Sequence, residues 1–167
     1  IKRGDFHALT DDDVVYAQNL EEVNQHLAYY QKNKINKMVL QKHVEGPIIK
    51  FYGVQNRFFH HRVMTSKDPH KKEVHYPNEW WQKINVEAIR AIAFKKAGIL
   101  GLSIFGGDCI IDQNGKLWVI DMNDWPSFRT CQEEAAKAMG HLALDALSDK
   151  VKSLGMETGI ACQPLTT

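Results

Sequence analysis

The chain has 167 residues, of which 44% are hydrophobic, 10% aromatic and 25% charged, a composition that excludes disordered and collagen-like chains. Twenty-one Lys and Arg oppose 20 Asp and Glu, a net charge of +1, so no global field favours nucleic acid or an acidic membrane as partner. No apolar run reaches the ~18–20 residues of a spanning helix, and the first residues lack the apolar core of a signal peptide. The length suits one domain or two small lobes.

The cysteines bear on the cellular compartment, and the first residues bear on whether the chain is a fragment. Cys109, Cys131 and Cys162 are odd in number and widely spaced, which argues against a disulfide framework and predicts a cytoplasmic protein. The chain opens with Ile1 instead of an initiator Met. We therefore expect a fragment of a longer protein.

The N-terminal third predicts a helix and then a strand. Asn19 is a favourable cap, and an apolar stripe follows at i, i+3, i+7 and i+10 up to Tyr30. Glu21 and Glu22 in the first turn favour this helix start, and the helix should end near Asn33. Residues 37–44 predict a strand.

The middle of the chain predicts a hairpin, a loop and a second helix. Residues 48–54 and 58–64 are expected to form antiparallel strands about Gln55-Asn56. The polar segment 65–78 predicts a loop. Apolar spacing from Val86 to Ala93 indicates a helix that Gly98 should end.

The clearest hairpin lies in the C-terminal half. Residues 102–111 and 117–122 predict strands around a turn that contains Asn114-Gly115, where positive φ is easily reached. Thr130 can cap a third helix that carries apolar residues from Ala135 to Val151. The residues after Gly155 show no pattern.

This hairpin carries the strongest chemical signal. The period of two puts Asp121 and Asn123 on one face of a strand, and a turn centred on Asn114-Gly115 places Asp108 opposite Asp121, at a spacing of ~5 Å. Two facing carboxylates repel unless a cation lies between them, and oxygen ligands suit Mg²⁺. The alternative is that these residues only end a strand and face solvent. Asp108, however, lies in an apolar run, where a charge without a partner is costly.

The segments 102–108, 112–116 and 119–126, with Asp108, Asp121-Met122-Asn123 and Pro126, resemble the C-terminal lobe signature of the ATP-grasp superfamily. The resemblance implies an α+β fold of ATP-grasp type, with an antiparallel sheet and flanking helices. It also implies that Asp108, Asp121 and Asn123 hold Mg²⁺ between ATP phosphates and protein. The sequence is similar in degree to inositol-phosphate kinases and to glutamate-adding ligases.

The upstream residues resemble other parts of the same superfamily. Residues 39–46 resemble the strand and hinge between the two lobes, which implies that Gln41, Lys42, His43 and Val44 line an adenine pocket. Lys2 resembles a lysine that contacts the α-phosphate. Lys50 and Arg62 are candidate catalytic residues aimed at phosphate or substrate, and Lys50 also a nucleotide contact, because phosphoryl transfer depends on positioning and cationic neutralisation. The alternative is that both face solvent from their strands.

The resemblance implies three segments: part of the central lobe at 1–45, the C-terminal lobe at 46–152 and a tail at 153–167. The expected activity is that of a Mg²⁺- and ATP-dependent ligase, which activates a carboxylate as an acyl phosphate that an amine captures. A kinase that phosphorylates a hydroxyl and a non-catalytic nucleotide-binding module are the alternatives. The partners are then ATP, a small-molecule or peptide acceptor, and a missing N-terminal domain of the same polypeptide.

Other chemistry-bearing residues give weaker signals. Zinc binding at His60-His61 or at His70 and His75 is disfavoured, since adjacent histidines on a strand point to opposite faces. Tryptophans at 80, 81 and 125 are more typical of packing than of base or sugar stacking. Ser127 and Arg129 are minor candidates for contact with the reacting phosphate and an anionic substrate. The sequence contains no G-x-S-x-G motif, which disfavours a Ser-His-Asp hydrolase.

Overall fold

The computed structural model describes residues 1–5, 9–64 and 76–154. Contacts divide the chain into two compact units, Ile1–Val44 and Glu45–Thr167. Within the described residues there are four α-helices and two antiparallel sheets, so the α+β class is confirmed. The strands are β1 (Lys2–Arg3), β2 (Met38–Val39), β3 (Ile48–Val54), β4 (Phe58–Val63), β5 (Ile104–Ile111) and β6 (Leu117–Asp124), and the helices are α1 (Leu20–Lys32), α2 (Asn78–Gln82), α3 (Val86–Leu100) and α4 (Gln132–Ser153).

In the first unit α1 begins and ends as predicted. The Asn19 side chain accepts a hydrogen bond from the Glu22 backbone N–H at 3.0 Å, and Asn33 is the C-terminal cap residue. The strand predicted over 37–44 is wrong in extent, because β2 covers only 38–39. Its partner β1 has only two residues, Lys2 and Arg3, and a strand extends only as far as another backbone accepts its hydrogen bonds.

The second unit is built on a four-stranded sheet in the order β4-β3-β5-β6, with antiparallel neighbours throughout. Both predicted hairpins, β3–β4 and β5–β6, are confirmed. One face of the sheet packs on α3, where strand residues and helix residues form a single buried cluster: Ile49, Phe51, Phe105, Cys109 and Ile111 with Ile89, Ala93 and Ala97. Helix α4 contacts β3 and β4.

Two predicted helix boundaries are wrong. Helix α3 continues past Gly98 to Leu100, and the capping glycine is Gly101, which has a φ of 70°. The left-handed turn at Gly101 lets the Leu102 N–H reach the Ala97 carbonyl at 2.9 Å, a C-cap arrangement in which glycine is favoured. Helix α4 begins after Cys131 instead of Thr130, because the Cys131 N–H closes a turn onto the Phe128 carbonyl before the helix starts.

The polar segment predicted as a loop over 65–78 lies mostly outside the described residues, but its last residue, Asn78, begins the short helix α2. Of the tail at 153–167, Ser153 is the last residue of α4, and residues 155–167 lie outside the described part. None of the helices within the described ranges combines the length and apolar character that a bilayer crossing requires.

Candidate functional site

Four charged residues form one row across the four-stranded sheet of the second unit. Arg62 on β4 pairs with Lys50 on β3, Lys50 pairs with Asp108 on β5, and Asp108 pairs with Asp121 on β6. Directly paired residues on neighbouring strands present their side chains on the same face. The structure therefore joins the acidic pair Asp108 and Asp121 to the basic pair Lys50 and Arg62, which the sequence analysis had named separately, and we call these four residues the charged row.

The charged row lies on the sheet face opposite α3. Its neighbours along β3, Ile49 and Phe51, point into the cluster with α3 and are fully buried, and successive side chains on a strand alternate between faces. The side chains of Lys50 and Asp108 are 34% and 24% exposed. The centre of the row is thus half-buried, and its side chains remain accessible to a ligand in the folded protein. We call this the site face.

Lys50 and Asp108 form the central contact of the charged row. The Lys50 ammonium donates to both carboxylate oxygens of Asp108, at 3.0 and 3.2 Å. Asp108, a carboxylate within an apolar sequence, therefore has a lysine on the neighbouring strand as its partner, a pairing that the sequence did not predict. A signal was present, since Lys50 and Asp108 each interrupt the apolar sequence of a central strand.

A β-bulge in β6 positions Asp121. Close to the turn, Cys109 pairs with Val119, and one step further Asp108 pairs with Asp121, so Ile120 is an extra residue of β6. Val119 packs against the cluster on the α3 side. In a ladder without a bulge, Ile120 would pair with Asp108, and strict alternation would put Asp121 on the same side as Val119. The bulge thus turns Asp121 and Asn123 to the site face, as bulges near active sites often re-aim side chains.

The turn of the same hairpin explains why a bulge is needed. The Asp112 carboxylate accepts hydrogen bonds from the backbone N–H groups of Asn114 and Lys116, and from the Trp118 indole at 2.8 Å. The indole hydrogen bond is the main reason that the pKa of Asp112 is lowered. This turn pairs Ile111 with Leu117, a register that would have placed Asp108 opposite Ile120.

Asp121 and Asn123 contact each other directly. The Asn123 amide nitrogen donates to Oδ2 of Asp121 at 2.7 Å. Together with Asp108 they provide two carboxylates and one amide, a set of hard oxygen donors that suits Mg²⁺ better than softer metals. Within the residues that the structure describes, no group of three or more His, Cys, Asp or Glu could hold a metal ion, so a metal here depends on Asn123 as well as the acids.

Glycines bring backbone close to the charged row. A Cβ at Gly107 would meet the Asp121 carbonyl oxygen, and a Cβ at Gly106 would lie 2.7 Å from the Pro126 ring. Only glycine lets Pro126 pack on β5 at this point. Trp125, just before that proline, has a φ of 49° and an exposed ring. The chain therefore turns sharply after Asn123, and Ser127 and Arg129 follow on the surface.

The remaining predicted nucleotide contacts belong to the first unit. Lys2 pairs with Val39 in the small sheet, and residues 41–44 follow β2 outside any strand. The His43 ring lies 4.7 Å from the Tyr16 ring in an edge-on arrangement. Tyr16 is exposed and was not singled out from the sequence.

Cys109 lies between two members of this site in sequence but takes no part in it. Its side chain is fully buried on the α3 side, and burial, with the nearby Asp108 charge, raises its pKa to about 12. The thiol therefore stays protonated at neutral pH and is neither a nucleophile nor a metal ligand.

Comparisons with known proteins give no family assignment. No protein-family model matches the chain, and no curated protein matches it significantly. The ATP-grasp resemblance therefore remains an expectation based on the motifs quoted above.

Proposed function

We propose that the chain is the ATP-binding part of a Mg²⁺-dependent ligase of ATP-grasp type, which activates a carboxylate as an acyl phosphate and lets an amine capture it. The observation that carries this proposal is the order of charges in the charged row: two cations on β4 and β3, then two anions on β5 and β6. A row that only stabilised the sheet would alternate in sign, because like charges directly opposite each other destabilise a sheet.

The acidic half of the row supports a divalent cation. Asp108 and Asp121 face each other, and the Asp108 carboxylate can bind an ion and Lys50 together, since its two oxygens offer about four lone-pair positions. Asn123 lies beside Asp121 and can turn its amide oxygen towards the same ion. When bound, Mg²⁺ neutralises phosphate charge and orients the transferred group.

Lys50 is the residue best placed to act on the transferred phosphoryl group. Its ammonium is held 3.0 Å from Asp108 Oδ1, so its position is fixed by the same carboxylate that would bind the metal. A cation fixed in advance stabilises the charge that develops in the transition state without reorganisation. Arg62 extends this positive charge by one strand.

One observation favours a kinase as the second candidate. Two cations stand side by side at Arg62 and Lys50, which suits an acceptor with more than one negative charge. Hydroxylamine separates the two reactions in a screen of carboxylate and polyol acceptors, because it traps an acyl phosphate as a hydroxamate. A ligase gives hydroxamate with ATP turnover, whereas a kinase gives a phosphorylated alcohol and no hydroxamate.

The primary test is the thermal midpoint with and without Mg²⁺ and a non-hydrolysable ATP analogue. A ligand at ~100 times its Kd stabilises a protein by about 2.7 kcal/mol, which for a chain of this size raises the midpoint by roughly 5–11 °C. We expect this rise to require Mg²⁺ and to be lost in Asp121→Asn.

The matched control is Asp124→Asn. Asp124 lies on the same strand but pairs with Phe105, so its side chain is on the α3 side, and this variant should keep the full rise. Metal-independent binding that Asp121→Asn does not change would favour the non-catalytic module. No rise in the wild-type protein would contradict the nucleotide site.

A further inference from the structure

At the cationic end of the charged row, two positive side chains stand directly opposite each other. Lys50 has Asp108 as its partner, but Arg62 donates only to the Met64 sulfur, at 3.4 Å, and forms no ion pair with any residue in the described part of the chain. Two cations directly opposite each other destabilise a sheet. An anionic group bound between Lys50 and Arg62 would remove that repulsion.

His60 lies on the same face and next to these cations. It pairs with Tyr52, two residues from Lys50 along β3, so it is the diagonal neighbour of Lys50 at about 7–8 Å. It is also two residues from Arg62 on β4, a separation of about 7 Å along the strand. The three side chains therefore border one small area of the site face.

The His60 ring is held in place by aromatic neighbours and not by hydrogen bonds. It lies parallel to the Phe58 ring at 6.5 Å and is 6.1 Å from the Tyr52 ring. Within residues 9–64 and 76–154, neither ring nitrogen has a hydrogen-bond partner. A half-buried imidazole fixed in this way has an N–H available for a ligand.

We propose that His60, Arg62 and Lys50 form an anion-binding subsite that holds a phosphate or carboxylate group of the acceptor. That the occupant is the acceptor rests on the proposed function. Neighbouring strands are about 4.8 Å apart, so β4 lies about 10 Å from β5 and about 14 Å from β6. His60 and Arg62 are therefore too far from Asp121 and Asn123 to contact their metal-bound phosphate, so the anion that these two residues hold belongs to a different group, with Lys50 between the two.

The test uses inorganic phosphate and citrate as probes, titrated by calorimetry into the protein alone and into the protein saturated with Mg²⁺ and a non-hydrolysable ATP analogue. We expect one of the two probes to bind in both states. His60→Gln should weaken that binding by about ten- to a hundredfold, the loss of one hydrogen bond to a charged group. His61→Gln is the matched control, because His61 pairs with Phe51 and points to the α3 face, and it should bind the probe as the wild-type protein does.

Proton NMR of the wild-type protein gives a second measurement that needs no folded variant. The imidazole C–H resonances should separate into one that shifts on addition of the probe and others, His61 included, that do not. Equal binding by the two histidine variants, or no shifting resonance, would overturn the role of His60.

The two proposals fail in different ways. Displacement of the probe by the ATP analogue would assign the subsite to the nucleotide and overturn the acceptor assignment. If neither probe binds, the subsite is overturned, whereas the prediction of a magnesium-dependent thermal shift is unaffected. Probe binding with the expected variant pattern, but without that thermal shift, would support the anion site and refute the proposed function.

Discussion

The facing carboxylates of Asp108 and Asp121 make a quantitative prediction that needs no substrate. Opposed side chains lie about 5 Å apart, and two unit charges at that distance repel by about 0.8 kcal/mol in water and about 3 kcal/mol at an effective dielectric constant of 20. The Asp108 side chain is 24% exposed, so the environment lies between these limits. Screening at ~0.1 M salt removes about a third of the repulsion. We expect a net repulsion of about 1 kcal/mol.

A double-mutant cycle measures this repulsion. Asp108→Asn alone also breaks the ion pair with Lys50, but the cycle with Asp121→Asn cancels that effect and leaves the interaction between the two carboxylates. Urea unfolding of the four proteins in divalent-free buffer gives the coupling energy. Millimolar Mg²⁺ should abolish the repulsion or reverse its sign, because the two carboxylates then share an ion.

The control cycle pairs Asp108→Asn with Asp124→Asn, whose side chain lies on the other sheet face. Its two changes should add within about 0.5 kcal/mol. A coupling of zero or an attraction between Asp108 and Asp121 without divalent ions would refute the reasoning, since the carboxylates would not then face each other.

Two further predictions concern stability. Gly107→Ala should lower the free energy of unfolding by about 1–3 kcal/mol or more, because its Cβ would lie 2.7 Å from the Phe51 ring. Gly98→Ala, whose Cβ would meet nothing within 4 Å, should raise the free energy of unfolding by about 0.5–1 kcal/mol. Urea unfolding measures both variants, and equal effects would contradict the packing. The pKa of Asp13 is lowered chiefly by the hydrogen bond from the Leu9 backbone N–H. The ionised carboxylate therefore contributes to stability above the ordinary carboxyl pKa of about 3.9, and this contribution is lost as pH falls through the lower pKa of the folded state. Asp13→Asn should therefore flatten the loss of stability between pH 5 and 2 in urea titrations (roughly the carboxyl range), and an unchanged slope would show that Asp13 is not responsible.

Local signals predicted most of the elements. The cap at Asn19 and the apolar stripe that follows depend only on residues within one helix, and the extents of β3 and β4 follow from alternation and a short turn. Gly98 misled the prediction because a glycine within a helix and one at its end look alike in sequence. Only Gly101 has the left-handed backbone that ends α3.

The site was harder to predict, because it depends on long-range pairing. Asp108 was expected opposite Asp121, and the structure pairs them, but by way of a bulge at Ile120 that has no local sequence mark. The contact between Lys50 and Asp108 needs β3 beside β5, strands separated by about fifty residues of chain. That arrangement is decided by the packing of the whole sheet and not by any short motif.

The bulge at Ile120 decides which face of the sheet receives the side chains of Asp121 and Asn123. A regular ladder of the same length would pair Ile120 with Asp108 and Asp121 with Gly107, so the intact Asp121-Met122-Asn123 motif would present its oxygens on the α3 side. Loss of Ile120 would remove the bulge and keep both side chains on the site face. The turn at 112–116, by contrast, lies outside the ladder and can change length without moving the paired residues. Chains that carry this motif are therefore equivalent at the site only when aligned by position in the sheet, since equal spacing from the turn can place the same residues on opposite faces.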